Sequence, residues 1–130
     1  MTKEFNSIEE IDKYYDEKTD TYVFKEDDKM IDLVVFNFDL DIYGSIFARD
    51  IKAKKIDAKD INAWNIVAIN IFARDIRAFN IKAKNITYYA VCFAYYNIKC
   101  KTIKGIRKNA KHFVLDGKIE FIQQEKRENN

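Results

Sequence analysis

The sequence contains no proline and only three glycines, Gly44, Gly105 and Gly117. Flexible linkers and glycine-rich phosphate-binding loops depend on these residues, so neither is expected here. Cysteine is also scarce: Cys92 and Cys100 lie eight residues apart, with no targeting segment ahead of them. This usage predicts free thiols in a reducing cytosol rather than a secreted disulfide framework.

Long apolar runs are missing too. The longest stretch without charge, residues 85–98, is shorter than the roughly 20 apolar residues that a bilayer crossing requires. We therefore expect no contact with a membrane. With 130 residues, 34% of them charged and 48% hydrophobic, the chain is predicted to form one ordered domain with its own core.

The net charge of +2 conceals a strong asymmetry along the chain. Residues 1–45 carry 5 basic and 13 acidic side chains, a balance of −8; residues 46–105 carry 12 and 4, a balance of +8; residues 106–130 carry 6 and 4, a balance of +2. No acidic residue lies between Asp75 and Asp116. Such a separation indicates a partner for the basic region, either internal or external.

One stretch repeats every five residues. An isoleucine begins each unit and an alanine follows two positions later. In extended backbone, residues i and i+2 point to the same side, so the isoleucine and the alanine share a face. The residues between them are mostly charged, amide or aromatic, which predicts that they face outward. The isoleucines are Ile46, Ile51, Ile56, Ile61, Ile66, Ile71, Ile76, Ile81 and Ile86, and the alanines run from Ala48 to Ala83.

An odd repeat keeps one face inward only if the chain turns a corner once in each unit. Short extended faces joined by corners form a β-solenoid, whose stacked coils bury one large and one small side chain per face. An Asp or Asn precedes most of the isoleucines, as at Asp50 and Asn65. These residues tolerate left-handed backbone and bond their own chain, so we expect them to form the corners.

The repeat resembles the pentapeptide-repeat family, in which an Asp or Asn precedes the large apolar residue. The likeness covers Ile42 to Gly105, and it implies a right-handed, quadrilateral β-helix. The units, followed by "YYAVCFAY" and "IKCKTIKG", are also similar to uncharacterised proteins of phages and prophages of low-GC Gram-positive bacteria. That similarity implies a viral or mobile-element origin, which together with the predicted free thiols gives a cytoplasmic location in a bacterial host as the expectation.

Both flanks are predicted to cap the solenoid, giving three regions, 1–41, 42–105 and 106–130. Ser7 and Glu10 form a capping-box pattern that predicts a short helix to about Lys18. Strands follow over Tyr22–Phe24 and from Val34 to Ile42. In the last region, Asp116 and Gly117 predict a two-residue turn of a β-hairpin, and residues 123–130 are predicted to be frayed.

The number of sides decides which outward residues stack. A four-sided coil aligns Phe47 with Val67, and Arg49 with Ile69 and Tyr89, which makes one face apolar; a three-sided coil aligns Arg49, Trp64 and Phe79 instead. We favour four sides. The acidic head, a second copy of the chain or another partner is expected to cover the apolar face, and a homodimer is predicted. The predicted interface residues are Phe47, Trp64, Val67, Ile69, Phe72 and Tyr89.

No group of residues has the pattern of a catalytic or metal site. His112 is the only histidine, and neither cysteine has a histidine at a repeat-related spacing. The corner Asp and Asn residues are half neutral amides without His or Cys among them, a poor ligand set for a metal. We therefore expect no enzyme activity, no metal and no cofactor.

A binding function is the stronger expectation. The resemblance to phage proteins implies a non-enzymatic protein that inhibits or modulates a host protein, in the manner of an anti-CRISPR. Nucleic acid is the alternative partner, since basic residues surround the tyrosines of residues 88–96. The basic residues predicted to contact nucleic acid or an acidic partner are Arg77, Lys82, Lys84, Lys99, Lys101, Lys104, Arg107 and Lys108.

Overall fold

The computed structural model describes residues 1–122; the predicted frayed tail, residues 123–130, lies outside them. The predicted β-solenoid is confirmed: nearly all strand pairs are parallel and join successive coils. One helix, of the 3₁₀ type, spans Ile8–Tyr14. The strands are β1 Thr2–Phe5, β2 Tyr15–Asp16, β3 Thr21–Val23, β4 Lys25–Glu26, β5 Lys29–Met30, β6 Leu33–Phe36, β7 Leu40–Asp41, β8 Ser45–Phe47, β9 Asp50–Ala53, β10 Lys55–Asp57, β11 Asp60–Asn62, β12 Asn65–Cys100, β13 Thr102–Gly105, β14 Lys111–Val114 and β15 Lys118–Phe121.

Each regular coil contains fifteen residues. Ile51 of β9 pairs with Ile66 of β12, and the neighbouring faces repeat the same offset. Fifteen residues are three units of five, so the coil has three sides, and the favoured four-sided count is wrong. The continuous β12 runs around all three sides because its corners do not break the ladder.

The three sides are defined by the isoleucines that stack inside them. Face A contains Ile46, Ile61 and Ile76; face B contains Ile51, Ile66 and Ile81; face C contains Ile56, Ile71 and Ile86. All nine are buried, as are the eight alanines that follow the first eight of them. A branched side chain beside a methyl group fills the bore at the density of a protein core.

The corner residues do not adopt the left-handed backbone that we predicted. Among the described non-glycine residues, only Asp20, Asp27 and Asp28 have positive φ, and all three precede the repeats. The corner side chains bond between coils instead: Asn80 donates to Asn65 at 2.8 Å, and Asn85 donates to its counterpart one coil earlier at 2.9 Å. Two of the corners are therefore linked along the axis by side-chain amides, and at the third the carboxylates of Asp60 and Asp75 accept from backbone amides of the following coil.

The N-terminal end is closed by a cluster of aromatic rings. Phe5 of β1 packs on Phe24 and Phe36, with centroids 5.8 Å apart in both pairs. From the 3₁₀ helix, Ile11 and Tyr14 are buried in the same cluster, three residues apart as this helix requires. These rings shield the first coil from water.

Two local predictions for this end are wrong. The capping box does not form, because Ser7 makes no side-chain cap and the carboxylate of Glu10 accepts from the amide of Asn6 at 2.8 Å. The helix also ends at Tyr14 rather than near Lys18. A small hairpin of β4 and β5 follows, turning at two aspartates with positive φ.

The regular period breaks after Ile86 because Tyr88 enters the column of small residues. Tyr88 is 1% exposed and pairs with Gly105, where a Cβ would lie 2.8 Å from the tyrosine hydroxyl. Glycine is therefore needed to make room for the ring. The first of two extra residues in this coil places Cys92 in an inward position, with Val91 on the corner.

The predicted C-terminal hairpin is a further coil. β14 and β15 each pair in parallel with β12 rather than with one another. Gly117 does not have positive φ; it lies so near Tyr96 that a Cβ would stand 1.6 Å from the tyrosine's carbonyl oxygen. Parallel ladders thus extend on both sides of residues 42–105.

Candidate binding surface

The predicted apolar interface residues are all partly exposed, between 41% and 47%, but they do not share a face. Phe47 lies on face A, Val67 on face B and Phe72 on face C, in the outward position after each isoleucine. Trp64, Ile69 and Tyr89 lie at three different corners. The single apolar face was a consequence of the four-sided count and does not exist.

Face B and the corner after it bring together four of the predicted basic residues. In the outward column of face B, Lys52 pairs with Val67, and the register continues through Lys82 to Lys99. In the corner column, the backbone amide of Ile69 donates a hydrogen bond of 3.0 Å to the carbonyl oxygen of Lys54, one coil earlier. We call the six lysines of these columns the lysine face: Lys52, Lys54, Lys82, Lys84, Lys99 and Lys101.

The other predicted basic residues lie elsewhere. Arg77 is outward on face A, where it pairs with Asn62. Lys104 is outward on face C, beside the corner column of the lysine face. Arg107 and Lys108 lie between β13 and β14. Sequence reasoning missed Lys52 and Lys54, which precede the acid-free segment but stack on the same face.

The lysine face is not neutralised by the described part of the chain. Ion pairs within residues 1–122 involve the N-terminal amine, Lys3, Lys13, Arg49 and Lys59, and none involves a lysine of the lysine face. The carboxylates of the acidic head therefore pair with cations of their own region and, in the basic region, with Arg49 and Lys59. Glu120, next to Lys99 in the ladder, is the nearest acid along the column.

A shallow groove of about 720 Å³ lies beside the N-terminal part of the lysine face. Its apolar lining includes Val35, Phe38, Val67 and Ile69, and Lys52 contributes to its lining. Val67 and Ile69 are each 44% exposed. Two of the predicted interface residues are therefore brought together here.

The corner between faces A and B carries a column of aromatic rings that contact one another at tilted or edge-on angles. The guanidinium of Arg49 lies 4.3 Å from the ring centroid of Trp64, and Trp64 lies 5.6 Å from Phe79. Phe79 in turn contacts Tyr95 and Tyr96 at 5.6 and 5.9 Å. These side chains align because each coil has three sides. Their column borders face B on the side opposite the corner lysines.

The groups considered for chemistry are dispersed. Nδ1 of the exposed His112 is 2.7 Å from the hydroxyl of Tyr88, with which it forms a hydrogen bond. Both cysteines are buried, and burial raises the pKa of the Cys92 thiol to about 12. Within residues 1–122, His, Cys, Asp and Glu form no cluster that could hold a metal.

Comparison with protein-family models, with curated proteins and with solved structures finds no match for this chain. Among residues 1–122, no helix has the length and apolar character to cross a bilayer.

Proposed function

We propose that the chain is a non-enzymatic binding protein that captures an acidic partner on its lysine face. The observation that carries this proposal is the pair of lysine columns on one side of a rigid solenoid, without ion pairs in residues 1–122. Neighbouring coils lie about 4.8 Å apart, so the charges form a dense row. Such a row attracts an acidic partner over a distance and orients it.

The partner in this proposal is a host protein of a phage-infected bacterium, inhibited or modulated by the bound chain in an anti-CRISPR-like manner. The likeness of the repeats to phage proteins supports the host setting, a bacterial cytoplasm. The fold supports the mode of action, because a solenoid presents an extended surface that needs little ordering on binding. A homodimer is part of the same proposal, and light scattering measures it.

The experiment uses labelled poly-L-glutamate as an acidic probe. Changing Lys82→Glu with Lys99→Glu should weaken binding at least about tenfold, because two attractions become repulsions. The matched control changes Lys25→Glu with Lys29→Glu, two exposed lysines of the N-terminal hairpin. Equal loss in the two variants, or binding that is insensitive to salt, would contradict the proposal.

Nucleic acid is the second candidate, favoured by the ring column beside face B. Tyr95 and Tyr96 are exposed by 41% and 49%, and exposed rings beside lysines suit stacked bases and phosphates. This candidate predicts that oligodeoxythymidylate binds with a steep loss of affinity as salt rises. Changing Lys99, Lys101 and Lys104 to Glu should weaken that binding, and a flat salt dependence would discard the candidate.

A further inference from the structure

The two columns of the lysine face are interrupted once, and both at the same coil. Val67 occupies the place of a lysine in the face B column, and Ile69 occupies it in the corner column. Both side chains point outward and remain 44% exposed. The lysines of the coils before and after them are Lys52, Lys54, Lys82 and Lys84.

The interruption is continuous with the groove of about 720 Å³ described above. Val35, one coil before Lys52 in the face B column, extends its apolar lining, and Phe38 lines the same groove. A groove of this size accepts a few side chains of a ligand. The result is an apolar floor flanked by lysines, and Asp39 contributes a carboxylate to the lining of the groove.

We propose that this interruption is a docking site for a segment of the partner protein in which large apolar residues alternate with carboxylates. The inference rests on the proposed function, because it uses the same lysine face. An apolar side chain that enters the groove would be desolvated against Val67 and Ile69, as interface anchors are. The aliphatic stems of the framing lysines extend that contact while their ammonium groups meet the carboxylates.

Charge complementarity selects this partner over nucleic acid at the groove. A phosphate backbone carries continuous charge and is best served by uninterrupted lysine columns. Val67 and Ile69 remove two cations at the middle of the row. The absence of two lysines at this coil lowers the affinity for a phosphate chain, and the apolar residues in their place raise the affinity for a peptide with apolar anchors.

The experiment compares two labelled peptides of equal charge, one with leucines between glutamate pairs and one with serines in their place. The wild-type chain should bind the leucine peptide about tenfold more tightly, the gain from burying an apolar side chain. The variant Val67→Lys with Ile69→Lys completes the lysine columns with residues that neighbouring coils already carry there. It should lose the preference for leucine while still binding both peptides.

The matched control is Phe47→Lys with Phe72→Lys, which adds the same charge on faces A and C. It should keep the preference for leucine, and thermal melting of each variant verifies the fold. Equal binding of the two peptides by the wild-type chain, with clear salt dependence, overturns the docking site but leaves the lysine-face proposal standing. Absence of binding to either peptide and to poly-L-glutamate overturns both.

The same experiment can also show that nucleic acid, or a second copy of the chain, occupies the groove. If the wild-type chain binds oligodeoxythymidylate more tightly than the leucine peptide, and Val67→Lys with Ile69→Lys strengthens it, the surface serves nucleic acid and the inference fails. If the wild-type chain is dimeric by light scattering and this variant is monomeric, the groove is occupied by a second copy, which also overturns the inference.

Discussion

The side-chain amide of Asn65 donates a hydrogen bond to the carboxylate of Asp50, 2.9 Å away and one coil earlier. Its own oxygen accepts from Asn80 at 2.8 Å, and Asn80 accepts from Asn97 at 3.4 Å. The ladder therefore has a direction, because every amide donates toward the N-terminus. Asp50 only accepts, so a carboxylate suits the first position and amides suit the later ones.

We expect Asn65→Asp to destabilise the fold by about 1–3 kcal/mol at neutral pH, because a donor is lost and two carboxylates face each other. Each carboxylate would raise the other's folded-state pKa above its unfolded value. The penalty should therefore shrink as pH falls through that raised pKa and the pair gains a proton. Urea unfolding at pH 7 and near pH 4 measures it. Asp50→Asn is the control, and a penalty that does not change with pH would contradict the explanation.

Smaller side chains should destabilise the isoleucine column, and larger side chains should destabilise the alanine column. Ile71→Ala leaves a cavity at a position 2% exposed and should cost about 2–5 kcal/mol. Ala73→Leu overfills a position that is fully buried and should cost about 1–3 kcal/mol. Lys82→Ala, outward on face B, should change stability by less than about 0.5 kcal/mol. Urea unfolding tests all three, and a tolerated Ala73→Leu would mean that the bore is not close-packed.

The N-terminal end should loosen in acid before the repeats do. The hydroxyl of Tyr14 donates to Glu26, and Lys3 lies 3.2 Å from the same carboxylate. These contacts hold the pKa of Glu26 below its ordinary value of 4.5, the hydrogen bond from Tyr14 most of all. A pKa lowered by folding adds stability above its ordinary value, and this stability is lost as pH falls through the lowered pKa.

Residue-resolved NMR during acidification measures the difference. Signals of residues 2–36 should broaden or shift below about pH 4, while those of residues 61–86, whose core is neutral, should persist. Glu26→Gln should reduce the acid dependence, because it removes the charge while keeping the shape. Simultaneous loss of both sets of signals would show that the end and the repeats unfold as one unit.

Both thiols should be inert in the folded protein. Cys92 and Cys100 are fully buried, and burial raises the pKa of each. Because the thiolate is the reactive form, Ellman's reagent should react with neither until the chain unfolds. Labelling in urea should then report both, at a rate set by unfolding. Rapid labelling of the native chain would mean that the coil after Ile86, which contains both cysteines, opens on its own.

The sequence alone predicts which side chains form the inward columns, but it does not predict how many sides each coil has. The spacing of isoleucine and alanine predicts which side chains face inward, since alternation is a property of extended backbone. The number of sides depends on which residue lies above which, a contact between coils that no local pattern contains. The recurrence of Arg49, Trp64 and Phe79 at every fifteenth residue is the one signal in the sequence that indicates three sides.

The predicted turn at Asp116 and Gly117 is wrong for a related reason. This dipeptide favours a hairpin by its own chemistry, but pairing with β12 determines the backbone here, and glycine is present because Tyr96 approaches closely. The docking groove could not be predicted either, since Val67 and Ile69 gain meaning only from the lysines one coil above and below. The five-residue period predicted the inward side chains correctly, whereas the predicted number of sides, which depends on contacts between coils, was wrong.

The fifteen-residue register also makes the length of the solenoid a discrete variable. Duplication of one whole coil within residues 46–86 would lengthen the tube by about 4.8 Å and leave both ends unchanged. Insertion of a single quintet would instead rotate every later outward side chain to the next face, so that the lysines would no longer align. The lysine face can therefore be lengthened only by insertions of three quintets or a multiple of three, because only these keep its lysines aligned.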